Sequence, residues 1–195
     1  MMILRAEDEC REMLVVYGQR LLASGLVQGT WGNLSVRLNE EEMLVTPSGL
    51  DYERLQPEDM VVVSIKNLKY DRFGNRPTSE KSLHAGIYRH RPDVGAVIHT
   101  HSTYCCAFAA AKMPLEVENP VLAEEIGSII RVADYARPGT SALSRNTVRA
   151  LGNGKGCIMA HHGMVCCGVD LKQTFHICSM IEEAARQYIE SRVDD

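Results

Sequence analysis

Two imidazoles stand two residues apart in the stretch V-I-H-T-H-S at 97–102, directly after an apolar run. Side chains at i and i+2 of an extended strand share a face, so a strand carried through His99 and His101 aims both rings at one point. The segment H-H-G at 161–163 supplies another imidazole, and it too follows a strand-like run, at 156–160. Adjacent strand residues point to opposite faces, so at most one of His161 and His162 joins that point; His162 is the candidate. Three imidazoles completed by a carboxylate or water suit Zn²⁺, whose nitrogen and oxygen ligands lie at about 2.0–2.2 Å. Glu80 is the best-placed carboxylate, because it opens an expected helix just after Thr78-Ser79. His84 follows one turn later on the same face, where it packs or donates a supporting hydrogen bond. On its own an H-x-H pair also describes ordinary core or surface histidines.

A second group of residues is spread over three loops: G-T-W-G-N at 29–33, T-P-S-G at 46–49 and P-T-S at 77–79. Each offers hydroxyls, amides or glycine N–H groups, which can cradle a phosphate without a lysine. Singly, each loop reads as a turn; jointly they point to an anionic ligand. Trp31, inside the first loop, is expected to pack in the core or at an interface.

The elements that must position these groups follow from periodicity. A helix is expected over 6–26, with Leu14, Val15, Gly18, Leu21 and Leu22 near one face and Ser24-Gly25 ending it. A hairpin follows from 34–38 and 43–46 around the polar turn 39–42, then a strand at 61–65. The next helix spans 79–89, with Ser79 as its cap and Pro92 blocking continuation. Strands are expected at 95–98, 129–132, 156–160 and 164–167, and helices at 102–111, 122–127, 141–151 and 171–189; 113–120 reads as irregular. This order implies one α/β domain over 1–195, with a mixed or antiparallel sheet covered by helices. The glycine-rich stretch at 152–156 precedes a strand instead of following one, against a dinucleotide-binding βαβ series.

Composition narrows the function. The chain has 195 residues, 45% hydrophobic and 24% charged, with a net charge of −4. No basic cluster exceeds two residues, which argues against a nucleic-acid partner. No apolar run approaches membrane-spanning length, and no signal peptide is legible. The seven cysteines are odd in number and include the adjacent pairs Cys105-Cys106 and Cys166-Cys167. They resemble buried cytoplasmic thiols more than a secreted disulfide framework, and Cys166-Cys167 is expected to pack beside the histidine-bearing strand.

The motifs G-T-W-G-N-L-S (29–35), T-P-S-G (46–49), P-T-S-E (77–80), H-T-H-S (99–102) and H-H-G (161–163) together resemble the class II, zinc-dependent sugar-phosphate aldolases. That family includes L-fuculose-phosphate aldolase, ribulose-phosphate 4-epimerase and the adducin head. The resemblance runs from the first helix to the last. It implies a three-layer α/β/α fold around a largely antiparallel sheet, and a cyclic homotetramer with sites at subunit interfaces. It assigns the zinc to His99, His101 and His162, with Glu80 meeting the metal and serving as acid/base. It assigns phosphate binding to Gly32, Asn33, Ser48, Gly49, Thr78 and Ser79. The implied reaction cleaves a ketose 1-phosphate (L-fuculose 1-phosphate or a deoxypentulose 1-phosphate) to dihydroxyacetone phosphate and a short aldehyde through a zinc-stabilised enediolate.

The sequence departs from that pattern in one respect. No tyrosine occurs between Pro114 and Gly127, where fuculose-phosphate-type members carry a catalytic one, and no long tail follows the last helix to supply another. Tyr135 matches a structural position, and Glu118, Glu124 or Glu125 is the expected substitute. The alternatives are a methylthioribulose-1-phosphate dehydratase, which would use a glutamate of this stretch, a ribulose-5-phosphate 4-epimerase, whose relatives carry Asp where Glu80 stands, and a non-catalytic adducin-like binding domain. The apolar face of the final helix is first a core feature, and the resemblance makes it a further candidate for the oligomer contact.

Overall fold

The computed structural model describes residues 6–192. In chain order it contains α1 (Glu7–Ala23), β1 (Asn33–Arg37), β2 (Glu42–Val45), β3 (Val61–Ser64), α2 (Lys81–His90), β4 (Ala96–Thr100), α3 (Thr103–Ala111), β5 (Leu115–Glu116) and α4 (Pro120–Ile126). It continues through β6 (Ile129–Ile130), β7 (Val132–Ala133), α5 (Ser141–Leu151), β8 (Gly156–Met159), β9 (Gly163–Gly168) and α6 (Leu171–Glu190). Seven strands form one sheet in the order β3-β2-β1-β4-β9-β8-β7. Every pairing in it is antiparallel except β7 with β8.

Helices cover both faces of this sheet. Leu34, Ile98, Ile158, Met164 and Cys166 pack into one cluster with residues of α1, α3 and α6. Val45, Val97, Cys157, Val165 and Cys167 pack into the other, with Leu83 and Ile87 of α2 and Leu143 and Leu151 of α5. A strand buried on both faces needs apolar residues at consecutive positions, which explains the unbroken run at 96–98. The expected mostly antiparallel sheet between helical layers is therefore observed. Cys166 and Cys167 lie opposite Ile98 and Val97, beside the histidine-bearing strand as expected.

Three local expectations are corrected. Glu80, not Ser79, is the residue at the N-terminus of α2, and no side chain caps that end. Thr78 takes up part of the role, its Oγ1 accepting from the Glu80 N–H at 3.2 Å. The run 129–132 is not one strand: β6 pairs with β5 in a two-stranded ribbon, while β7 joins the main sheet. The region expected to be irregular holds β5 and leads into α4, whose cap is Asn119, with Oδ1 accepting from Val121 N and Leu122 N. The apolar face of α6 (Ile177, Cys178, Ile181, Ala185) packs into the chain's own core, as first expected.

Candidate metal centre

β4 is the central strand, pairing His99 with Asn33 of β1 on one side and with Val165 of β9 on the other. The His99 ring is fully buried. Its Nδ1 lies 2.8 Å from the Met164 carbonyl, so Nδ1–H donates there and the Nε2 lone pair faces inward. His101, just past the end of β4, brings its Nε2 to 2.8 Å from that of His99. His162 lies in the turn between β8 and β9 and completes the group: the ligand atoms of His99, His101 and His162 all lie within 4.8 Å of one another. Its neighbour His161 takes a left-handed conformation, φ 55°, and turns to a different surrounding, edge-on to Tyr135 with ring centroids 5.9 Å apart. The separation of the two adjacent histidines is as expected, although a turn and not strand alternation produces it.

Two glycines make this approach possible. A Cβ on Gly163 would lie 2.3 Å from the Thr100 carbonyl oxygen and 3.2 Å from ring atoms of both His99 and His101. A Cβ on Gly32 would meet the His99 carbonyl oxygen at 2.7 Å, and its φ of 89° already favours glycine.

Glu80 closes the cluster from the opposite wall. Its Oε2 is 3.1 Å from His99 Nε2 and its Oε1 is 3.3 Å from His162 Nε2. Burial opposes its ionisation, but His99, His162 and a 3.0 Å hydrogen bond from Asn33 Nδ2 outweigh that, and the carboxyl stays below its usual range. Burial likewise pushes His99 down to about 4 and lowers His101. These imidazoles are therefore neutral near pH 7, the protonation state in which imidazole binds a metal.

Behind Glu80 runs a buried polar chain. His84 Nε2 meets Asn33 Oδ1 at 2.5 Å, His84 Nδ1 meets Ser35 Oγ at 2.6 Å, and Ser35 Oγ meets the Tyr88 hydroxyl at 2.8 Å. Asn33 must donate to the carboxylate, so its oxygen accepts from His84 Nε2–H, and His84 Nδ1 accepts from Ser35. His84 thus supports the acid through Asn33, realising the hydrogen-bonding role open to it from its position one turn after Glu80.

The donor set fits a divalent ion. Imidazole nitrogens around a tetrahedral zinc sit about 3.3 Å apart, within the span of this cluster. Here ring nitrogens of three imidazoles converge, and Glu80 Oε1 is buried with no hydrogen-bond partner. A buried carboxylate oxygen without a partner is costly, and a cation would supply the missing one.

The three loops meet in a cleft of about 470 Å³ that is lined by Gly32, Asn33, Ser48, Gly49, Thr78 and Ser79 together with Glu80, His101 and His162. Backbone bonds hold them side by side: Ser48 N donates to Arg76 O at 2.8 Å, and Thr78 N donates to Thr46 O at 3.0 Å. Thr46 also accepts from Leu34 N through Oγ1 at 3.1 Å, tying in the first loop. The histidines, Glu80 and the candidate phosphate-binding residues thus lie at one place.

Three other expectations fail or change. Trp31 is not a core residue: it is 61% exposed, lines the cleft, and its ring centroid lies 5.8 Å from that of His101. Tyr135 is not a structural residue in the interior, being 58% exposed beside His161 at the cleft rim. Glu118, Glu124 and Glu125 do not line the cleft. Glu118 pairs with Arg192 at 2.5 Å, and Glu125 lies near Lys155. Sequence reasoning missed the Asn33 link to Glu80, Ser35 and Tyr88; only the alternation of Leu34-Ser35-Val36, with a serine inside an apolar strand, hinted at a buried polar partner.

Comparison with known proteins agrees with this geometry. The class II aldolase and adducin N-terminal domain family matches residues 12–189, and the chain belongs to that family. Within it, the fold and the three-histidine cluster make this a metal-dependent class II aldolase. The chain is 38% identical over 178 residues to a 5-methylthioribulose-1-phosphate/5-deoxyribulose-1-phosphate aldolase of Rhodospirillum rubrum, covering 91% of this chain and 79% of that protein. It is 36% identical over 182 residues to the L-fuculose phosphate aldolase of Escherichia coli K12, covering 93% and 80%. A solved L-fuculose 1-phosphate aldolase superposes with a TM-score of 0.91 at 32% identity, over 96% of this chain and 88% of that one.

Proposed function

We propose that this chain, acting as one domain over 1–195, cleaves a ketose 1-phosphate to dihydroxyacetone phosphate and a short aldehyde. L-Fuculose 1-phosphate and the 5-deoxypentulose 1-phosphates are the substrate candidates. The observation that carries the reading is the convergence of three imidazoles on Glu80, at 3.1 and 3.3 Å from two of them, at the wall of a cleft built from phosphate-type loops. The relatives that act on deoxyribulose and fuculose phosphates support the substrate class.

His99, His101 and His162 would hold the metal, with Zn²⁺ the ion best matched to nitrogen and oxygen donors. A divalent ion supplies Lewis-acid polarisation of the ketose oxygens. The protein's own groups do the rest. Glu80, held ionised by its depressed carboxyl, can take the hydroxyl proton of the departing half as the carbon–carbon bond breaks and return it to the carbon next to the ketose carbonyl, which keeps the bond's electron pair, so the proton count closes. Asn33 aims that carboxylate, leaving its second amide hydrogen for the ligand. Gly32, Ser48, Gly49, Thr78 and Ser79 grip the phosphate near the start of α2, whose N–H groups favour an anion. Binding at that remote end orients the reacting carbons. That Glu118, Glu124 and Glu125 of the same chain do not line the cleft favours the aldolase over the dehydratase reading, and a non-catalytic role leaves the histidine cluster unexplained.

We further propose a homotetramer working in the cytoplasm without nucleic-acid or membrane partners. Among the described residues no helix is long and apolar enough to cross a membrane. The deciding experiment incubates metal-loaded protein with a panel of ketose 1-phosphates and pentulose phosphates, beside a Glu80→Gln control. Dihydroxyacetone phosphate should appear, and should vanish on chelation and in the control. Water loss or epimer formation without cleavage products would overturn the reading.

A further inference from the structure

The three histidines are not held alike. His99 is locked within the sheet and by its bond to Met164, and His162 sits in the tight turn closed by His162 N donating to Met159 O at 3.0 Å. His101 lies beyond the last residue of β4. Among the described residues, the hydrogen bond recorded for its ring is the one to His99. Its place therefore depends on the backbone that follows, where the chain turns from β4 into α3.

That turn is built in an unusual way. Ser102 is the N-cap of α3, yet its side chain makes no capping bond to its own helix. Glu182 of α6 does the capping instead, from 80 residues away. Its Oε2 accepts from Ser102 Oγ at 2.7 Å and from Cys105 N at 3.0 Å, and its Oε1 accepts from Tyr104 N at 2.8 Å. Tyr104 and Cys105 are the second and third residues of α3, whose N–H groups a local cap would normally satisfy. A carboxylate there also complements the positive end of the helix dipole. One anionic group thus clamps the residue directly after His101 to a helix anchored in the main core.

We propose that Glu182 is a positioning residue for the metal ligand His101: by fixing Ser102 and the first turn of α3 it sets the third corner of the histidine cluster. This rests on the reading that the three histidines hold a metal. Removing the clamp frees the turn and leaves His101 positioned by ring contacts with Trp31, His99 and His162 alone, whereas His99 and His162 keep their backbone supports.

The test measures Co²⁺ affinity by titration and the visible Co²⁺ spectrum, alongside thermal unfolding, for wild type, Glu182→Ala, Glu182→Gln and Asp170→Ala. Asp170 caps α6 itself, accepting from Gln173 N at 2.8 Å, so its loss removes a cap without touching Ser102. Glu182→Ala should weaken Co²⁺ binding by about tenfold or more, the range for groups that support metal ligands, and alter the spectrum. Glu182→Gln, which keeps one acceptor oxygen, should fall between wild type and Glu182→Ala, and remains informative if the alanine variant does not fold. Asp170→Ala should lower the unfolding temperature and leave the affinity unchanged. Unchanged affinity and spectrum in the Glu182 variants, or equal weakening in Asp170→Ala, would overturn the proposal. Absence of Co²⁺ binding by wild type would instead overturn the metal reading beneath it.

Discussion

Replacing His84 with leucine tests the buried chain that ends on Glu80. His84 has no solvent exposure. Burial holds its imidazole down at about 3, against an upward pull from Glu80, so it is neutral wherever the protein works. Leucine keeps much of the volume and removes two hydrogen bonds, to Asn33 and to Ser35. Each buried polar group left without its partner costs about 1–3 kcal/mol, so the pair costs about 2–6 kcal/mol, a large share of the roughly 5–15 kcal/mol that holds a domain together. Asn33, no longer anchored, can also turn away from Glu80.

The same residue carries a pH signature. In the unfolded chain the imidazole titrates near 6.5, and in the folded chain near 3. Its contribution is therefore complete above the unfolded value and is lost as pH falls, because the unfolded state takes up a proton that the folded state refuses. The loss is about 1.4 kcal/mol per pH unit until the folded value is reached. The leucine variant lacks that slope, so the stability gap between wild type and variant should be widest near neutrality and narrow by about 1.4 kcal/mol for each unit below the unfolded value. Urea unfolding of both metal-free proteins across that range measures it. A neutral-pH loss below about 1 kcal/mol, or two parallel pH curves, would refute the hydrogen-bonded, neutral assignment of His84.

Two other consequences can be checked directly. Gly163→Ala places a methyl group 2.3 Å from a main-chain oxygen that cannot rotate away; overpacking of this kind costs about 1–3 kcal/mol and should also spread His99 and His101, so a thermal scan and a Co²⁺ titration should both register it, and wild-type values in both would contradict the packing argument. The seven cysteines form no disulfide among the described residues and all are buried except Cys106, which is half-buried. Burial pushes Cys157 up to about 12 and Cys167 to about 11, and raises Cys105, Cys106 and Cys166. A charged thiol reagent should therefore label about one site per native chain, slowly and at Cys106, and all seven after denaturation; rapid native labelling of several sites would show that the thiols are not enclosed as described.

Local chemistry was legible in the sequence wherever a short-range rule applies. The pair His99 and His101 share a face because strand side chains alternate with period two. Residues 29–33, 46–49 and 77–79 read as loops because glycine, proline and hydroxyl residues favour turns. Glu80 and His84 share a helix face because they stand one turn apart. Tertiary structure alone decided what these local pieces meet. The turn between β8 and β9 separated His162 from His161. A change of sheet at Arg131 split one apolar run into β6 and β7. Trp31 was left exposed beside His101, Asn33 was joined to Glu80, and Glu182 was brought to the start of α3. Each of these contacts is set by how strands and helices pack across tens of residues, and a side chain's partner at such separation is fixed by three-dimensional packing and by the need to satisfy buried polar groups, neither of which sequence spacing encodes.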